Sequence, residues 1–223
     1  MNSNKNNTLY DSEYFVNRHF NDTKRLLSFT QESNFISKYI ENTGKICDVG
    51  CATGEFLVHI QWRGDMYGME VNSEAINTAK GHGINFDKNI LNQKDYFDIV
   101  IFRGTIQHLP NPILYIEKAY HSLKKGGVIV FTATPNANSI YYKLFNTLPM
   151  IHDRYNYYIP SDITLINILR NFEFELLDIE KPYLKSPYKS FIQDHCRFLI
   201  KLFFRTQHSF AFWGNTMNII AKK

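Results

Sequence analysis

The stretch ICDVGCATGEF, residues 46–56, decides the fold. It opens as a short apolar strand and runs into a loop with Gly50 and Gly54, after which a helical pattern begins at once. Glycine serves where the backbone must take a positive φ or come close to another group. Asp48, just ahead of the turn, implies that the close neighbour carries positive charge. A cationic small molecule meets that description, and the rest of the chain tests it.

Working outward, strands and helices alternate. The pattern predicts strands at 45–49, 66–71, 84–89, 97–102 and 128–133, with helices at 54–62, up to Lys80, and from Pro112. Asn72 or Ser73 and Asn111 are cap residues, and Pro112 fits a first helical position, where a missing N–H costs nothing. The third of these helices is expected to stop at the glycines of KKGG, residues 124–127. A Ser161-capped helix, a strand in FEFELLDIE and a final strand in NTMNIIAK follow. Buried-type strands alternating with helices imply an α/β, Rossmann-like sheet with helices on both faces. Seven strands are expected, mostly parallel, with an antiparallel terminal strand.

At 223 residues the chain reads as one domain, 1–223. Residues 1–43 form an N-terminal helical segment, helical over 10–41. Residues 44–133 form the core, and 134–159 and 182–212 are insertions. The formal charge of +4 is mild and neither demands nor excludes an anionic partner, and no lysine- or arginine-dense tract resembles a nucleic-acid arm. Three cysteines at 47, 51 and 196 have no zinc spacing and no even framework, so reduced thiols in the cytoplasm are expected, with no metal site. The opening MNSNKNNT is polar, unlike a signal peptide, and no apolar run is long enough to span a bilayer.

In a doubly wound sheet, ligands bind beyond the carboxyl ends of the strands. The Gly50 turn belongs there. Glu70 follows twenty residues later at the end of the second strand, a spacing at which an acid accepts hydrogen bonds from ribose hydroxyls. Together they point to an adenosine-containing cofactor. GxGxxG is not matched, because Gly50 and Gly54 are four apart, and GxxxxGK[ST] is missing. Dinucleotide and Walker-type sites are thereby disfavoured.

DVGCATGEF, YGMEVN, YFDIVIFRGTIQHLPNP and LKKGGVIVFTATPN, in this order and spacing, resemble the class I S-adenosylmethionine-dependent methyltransferases. The likeness covers residues 44–133 and extends to the terminal hairpin, where FWGNTMNIIAKK resembles small-molecule and sugar methyltransferases. It implies S-adenosyl-L-methionine as cofactor. Asp48 would sit near its ammonium group, with the backbone of Gly50 and Cys51 passing beneath and Gly54 packing the helix close. Glu70 would hold the ribose, Asn89 and Ile90 would meet the adenine, and Arg103 and Gly104 would line the methionine end. The family usually has an acid at the position of Asn89. His108, after the fourth strand, is the candidate general base for a hydroxyl acceptor. Related enzymes often carry Glu-His there; Gln107 replaces the acid and disfavours a metal site or a mechanism that needs a carboxylate.

The implied activity is methylation of oxygen on a small-molecule acceptor such as a sugar or glycan precursor. A quinone or other lipid-like acceptor is the alternative, and RNA a more distant one, since FRGT stands where an NPPY-like motif would be. A non-catalytic relative of the family is the third class. Acceptor choice falls to residues 1–40, 134–159 and 182–212. His152 and His195 are read as surface residues or pocket lining, and His59 as structural. Tyr141, Tyr142, Tyr155, Tyr157 and Tyr158 read equally as an aromatic wall or as loop packing, with Arg154 a candidate partner for an anionic acceptor. FIQDHCRFLIKLFFR is a basic amphipathic helix with Arg197, Lys201 and Arg205 four apart. It is expected to pack its apolar side of Ile192, Leu199, Leu202 and Phe203 on the domain with its charges in solvent. Peripheral membrane contact is the alternative.

Overall fold

The computed structural model describes residues 23–87, 89–149, 151, 156–204, 206 and 209–223. Seven strands form one sheet: β1 (Lys45–Val49), β2 (Asp65–Met69), β3 (Asn85–Phe86), β4 (Phe97–Arg103), β5 (Leu123–Pro135), β6 (Glu175–Glu180) and β7 (Thr216–Lys222). Their order is β3-β2-β1-β4-β5-β7-β6, and β7 alone runs antiparallel to its neighbours β5 and β6. The expected sheet is the one observed.

Strand alternation builds two cores. Ile46, Ile99, Ile101, Val128, Val130 and Ile220 face one side, under Phe29 and Phe35 of α1 (Thr23–Ile36), Phe56 of α2 (Glu55–His59) and Ala79 of α3 (Ser73–Gly81). Cys47, Val49, Val100, Phe102, Ile129, Phe131 and Ile219 face the other, under Ile116 of α4 (Pro112–Ser122) and Leu165 and Leu169 of α6 (Asp162–Asn171). Burial on both faces is why β4 reads as a nearly unbroken apolar run. The side chains of Asn72, Asn111 and Ser161 accept from Ala75 N, Leu114 N and Thr164 N, capping α3, α4 and α6. Strand order reverses at β1, between β2 and β4, so the crevice opens at their carboxyl ends.

Several boundaries depart from the sequence reading. Helix α1 ends at Ile36, short of residue 41, and the part of the expected helix before Thr23 lies outside the described residues. Helix α2 stops at His59, and Gln61 just beyond takes a φ of 51°. Strand β3 is two residues long because Asp87 turns the chain: its Oδ1 accepts from Asn89 N at 2.9 Å, and a 3₁₀ turn, Ile90–Asn92, follows. Helix α4 ends at Ser122, not at KKGG, because Leu123 is extended, pairs with Phe97 and is buried. The register shift between Phe97 and Ile99 accommodates the residues that follow. Residues 134–159, read as an insertion, contain α5 (Ile140–Phe145), capped by Ser139.

A third core holds the segments beyond β5. Tyr141, Leu148, Phe210 and Phe212 are buried, and Phe198 of α7 (Phe191–Phe204) packs on them. Tyr141 is therefore a core residue and no part of an exposed aromatic wall. Tyr157 is exposed and Tyr158 packs on the sheet core, while Tyr155, Arg154 and His152 lie outside the described residues.

Candidate active site

Three loops meet at the carboxyl ends of β1, β2 and β4. The N–H groups of Gly50 and Cys51 both donate to Met69 O, at 2.8 and 3.1 Å, which draws the first loop across the tip of β2. Gly50 has a φ of 78°, and a Cβ there would lie 2.5 Å from Thr105 Cγ2. The chain has glycine because no side chain fits between the loops that follow β1 and β4. Gly54, also at φ 78°, brings the start of α2 against Ile84, whose Cδ1 would be 2.1 Å from an added Cβ. Cys51 packs over Gly68, and burial pushes its thiol well above the ordinary range, so it is an inert wall.

Glu70 stands one residue past the last pair of the β1–β2 ladder. Its Oε2 accepts from Ala52 N at 3.0 Å, and its Oε1 accepts from Val71 N at 2.7 Å and Asn72 N at 3.0 Å. Three backbone donors fix the carboxylate, and Oε2 retains a lone pair for one further donor. A ribose hydroxyl is a donor that fits it.

Asp48 is 1% exposed, and its Oδ1 has no hydrogen-bond partner among the described residues. Burial pushes its carboxyl up to about 7; Arg103 pulls it back down, and Glu32 and Glu70 push it further up. A buried acid without a full complement of donors is costly unless a cation or donor joins it. An ammonium group is a cation whose chemistry fits it.

Arg103 has a partner that the sequence alone does not give it. Its guanidinium makes a two-pronged pair with Glu32 of α1, with Nε–Oε2 at 2.7 Å and Nη2–Oε1 at 3.0 Å, and lies 4.3 Å from the centroid of Phe29. The pair ties α1 to the site and stays close enough to Asp48 to act on its carboxyl. The adjoining backbone shapes the loop: Gly104 N donates to Thr132 O, and Gly104 O accepts from Gln107 Nε2. Glu32 and Phe29 were missed from the sequence, although an acid at position 32 on the stripe Phe29, Glu32, Phe35, Ile36 was a usable signal.

His108 closes a 3₁₀ turn, Ile106–His108, and is half-buried. Gln107 Nε2 is already fixed as a donor to Gly104 O and lies 3.2 Å from His108 Nε2. That nitrogen must then accept, which assigns the ring proton to Nδ1 in the neutral imidazole. Gln107 is buried, and its main-chain oxygen accepts from Tyr157 N at 2.9 Å, tying residues 156–160 to the site. Ile90 is buried in the sheet core with Val49, whereas Asn89 is exposed, its Oδ1 3.4 Å from Asn92 Nδ2. His195 is held away from this cluster by Phe191 O and Trp213 Nε1, and His59 by Thr30. Among the described residues no cluster of His, Cys, Asp and Glu could hold a metal ion, and no helix is long and apolar enough to cross a membrane.

A family model described as a methyltransferase domain matches residues 19–179. The chain belongs to this family. The chain is similar to the ubiquinone biosynthesis O-methyltransferases of Azoarcus sp. and Coxiella burnetii. The first is 26% identical over 156 residues, 60% of this chain and 66% of the relative. The second is 29% identical over 150 residues, 58% of this chain and 64% of the relative. The chain thus spans just under two thirds of the length of these curated relatives. A SAM-dependent methyltransferase of known structure from Archaeoglobus fulgidus superposes with a TM-score of 0.64 at 22% identity, covering 96% of this chain and 100% of that one. The chain therefore has the class I methyltransferase fold that its motifs imply.

Proposed function

We propose that the protein transfers a methyl group from S-adenosylmethionine to a hydroxyl oxygen of a small-molecule acceptor. The observation that carries this is the buried Asp48 carboxylate at the tip of β1, with an oxygen that lacks a partner among the described residues and a pKa near 7. The cofactor supplies a methyl group on a sulfonium, whose sulfur leaves without needing a proton. Asp48 pairs with the ammonium group of the methionine moiety. Glu70 accepts from one ribose hydroxyl through the lone pair left on Oε2. Gly50 and Cys51 pass beneath the ligand, Gly54 brings α2 up to it, and Gly104 lines the methionine end. Asn89 and Ile90 stand on the adenine side, Ile90 as apolar support beneath it.

Transfer is an in-line displacement, so the protein's work is to position the acceptor and exclude water. His108 removes the hydroxyl proton. With Nδ1 protonated, Nε2 is the basic atom, and Gln107 holds it until the acceptor hydroxyl replaces the amide as its donor. The names of the relatives favour a quinone-type ring acceptor. A sugar or glycan-precursor hydroxyl is the second reading, favoured by the FWGNTMNIIAKK strand.

The experiment is transfer of a labelled methyl group from S-adenosylmethionine to two pools, catechol- and quinol-type rings and free or nucleotide-linked sugars, by wild type and His108→Asn. Label in one pool, lowered by His108→Asn, is expected. Label in neither pool while cofactor is bound would favour the non-catalytic reading.

A further inference from the structure

Helix α7 sits in the fold with its polarity inverted. Its buried residues are Asp194 and Lys201. Asp194 accepts from Tyr183 Oη at 3.0 Å and from Ser190 N at 2.8 Å. Lys201 Nζ donates to Thr206 O at 2.6 Å and lies 5.2 Å from the ring centroid of Phe145. Phe198, stacked on Phe212 at 4.4 Å, is the aromatic anchor between them. The opposite side carries Ile192, Leu199 and Phe203, seven and four residues apart on one helical face and 77%, 56% and 79% exposed; Phe204 beside them is 75% exposed. The sequence reading that this side packs on the domain is overturned. The inward positions are taken by Asp194, Phe198 and Lys201, three to four residues apart, and only one stripe of a helix can face the core.

Charge identifies what covers the exposed face. Residues 181–206 contain six basic residues and one acid, Asp194, which is buried. Lys181 and Lys185 are paired with Asp162 and Glu180, whereas Lys189 and Arg197 have no acidic partner among the described residues. Trp213, half-exposed and donating to His195 Nε2, borders the helix as aromatic side chains do at a membrane boundary. A protruding apolar stripe with cations and no outward acid matches an anionic bilayer, where apolar side chains enter the acyl boundary and cations meet the headgroups.

We propose that α7 docks the protein on the surface of an anionic membrane, with Ile192, Leu199 and Phe203 inserted and Arg197 at headgroup level. The proposal does not depend on the catalytic reading, because docking needs neither cofactor nor acceptor. It is tested by co-sedimentation of the full chain with vesicles of phosphatidylcholine alone and of phosphatidylcholine mixed with phosphatidylglycerol. Binding to the mixed vesicles, weaker with phosphatidylcholine alone and weakened by salt, is expected. Ile192→Glu/Phe203→Glu should lower the partition at least about tenfold, and Arg197→Glu about fivefold, with thermal stability and S-adenosylhomocysteine affinity unchanged. Phe203→Trp provides a mild reporter whose fluorescence should shift to the blue on the mixed vesicles. No partition to either vesicle, or partition unaffected by the double variant, would overturn the proposal. So would a wild-type dimer in sedimentation velocity that the double variant converts to monomer, since a second copy would then cover the face.

Discussion

Strand β4 and helix α7 are both rich in apolar residues and turn them in opposite directions. In β4, Ile99 and Ile101 enter one core while Val100 and Phe102 enter the other, and nothing apolar is left over. In α7 the inward stripe holds Asp194, Phe198 and Lys201, and the larger apolar stripe faces out. The difference lies in how each is held. A central parallel strand is covered on both faces by the helices that connect it, so its pattern fixes its burial. A helix in a long insertion is tied down by whatever its few anchors are. Here these are an acid, an ammonium group and one aromatic ring. Apolar content alone therefore says where β4 lies and not where α7 lies.

Truncation at the two places should break the symmetry of their compositions most plainly. Phe102→Ala should cost about 3–5 kcal/mol of stability by emptying a buried aromatic site, whereas Phe203→Ala should cost less than about 0.5 kcal/mol. Urea denaturation of the two variants checks both values, and equal losses would mean that α7 is packed after all. The next effect concerns the charges between α1 and the site. Glu32→Ala leaves Arg103 half-buried without its partner and should cost about 3 kcal/mol, read by the same melts. Glu32→Gln should recover part of this by keeping one hydrogen bond.

Of similar size is the effect at His108. His108→Asn should lower turnover by at least about a hundredfold while S-adenosylhomocysteine affinity stays within about twofold, as a base acts on the acceptor and not on the cofactor. Smaller and opposite in sign is the effect on the free protein at Asp48. Its carboxyl is raised from 3.8 to about 7 in the folded state, so its favourable contribution is complete only below 3.8 and is lost as pH rises through about 7. Asp48→Asn should then stabilise the unliganded protein by about 1–3 kcal/mol at pH 8, with the gain vanishing toward pH 4. Thermal melts across that range measure it. A stability gain coupled to a binding loss would mark a residue kept for its ligand.

The same contrast explains what could be read from the sequence. The order of the strands from Lys45 to Pro135, the caps at Asn72, Asn111 and Ser161, and the tip positions of Asp48 and Glu70 all follow from local spacing. Strand β3 was over-read because Asp87 bends the chain into a turn that apolar content does not reveal. The end of α4 was misplaced because Leu123 is drawn into the sheet by Phe97, a contact 26 residues away along the chain. The pairing of Arg103 with Glu32 is not legible because the two lie 71 residues apart along the chain. Amphipathicity located α7 but could not say which side faces in; that depended on Tyr183 and Phe212, which only the fold brings to it.

The most direct test of the account is calorimetric titration of S-adenosylhomocysteine into wild type and Asp48→Asn at pH 8 and pH 6. Wild type should bind about tenfold more weakly at pH 6, as Asp48 takes up a proton before it can meet the ammonium group. Asp48→Asn should bind at least about tenfold more weakly at pH 8 and show no comparable change between the two values. Equal affinities for the two proteins at pH 8 would contradict the assignment of the β1 tip as the cofactor's ammonium site.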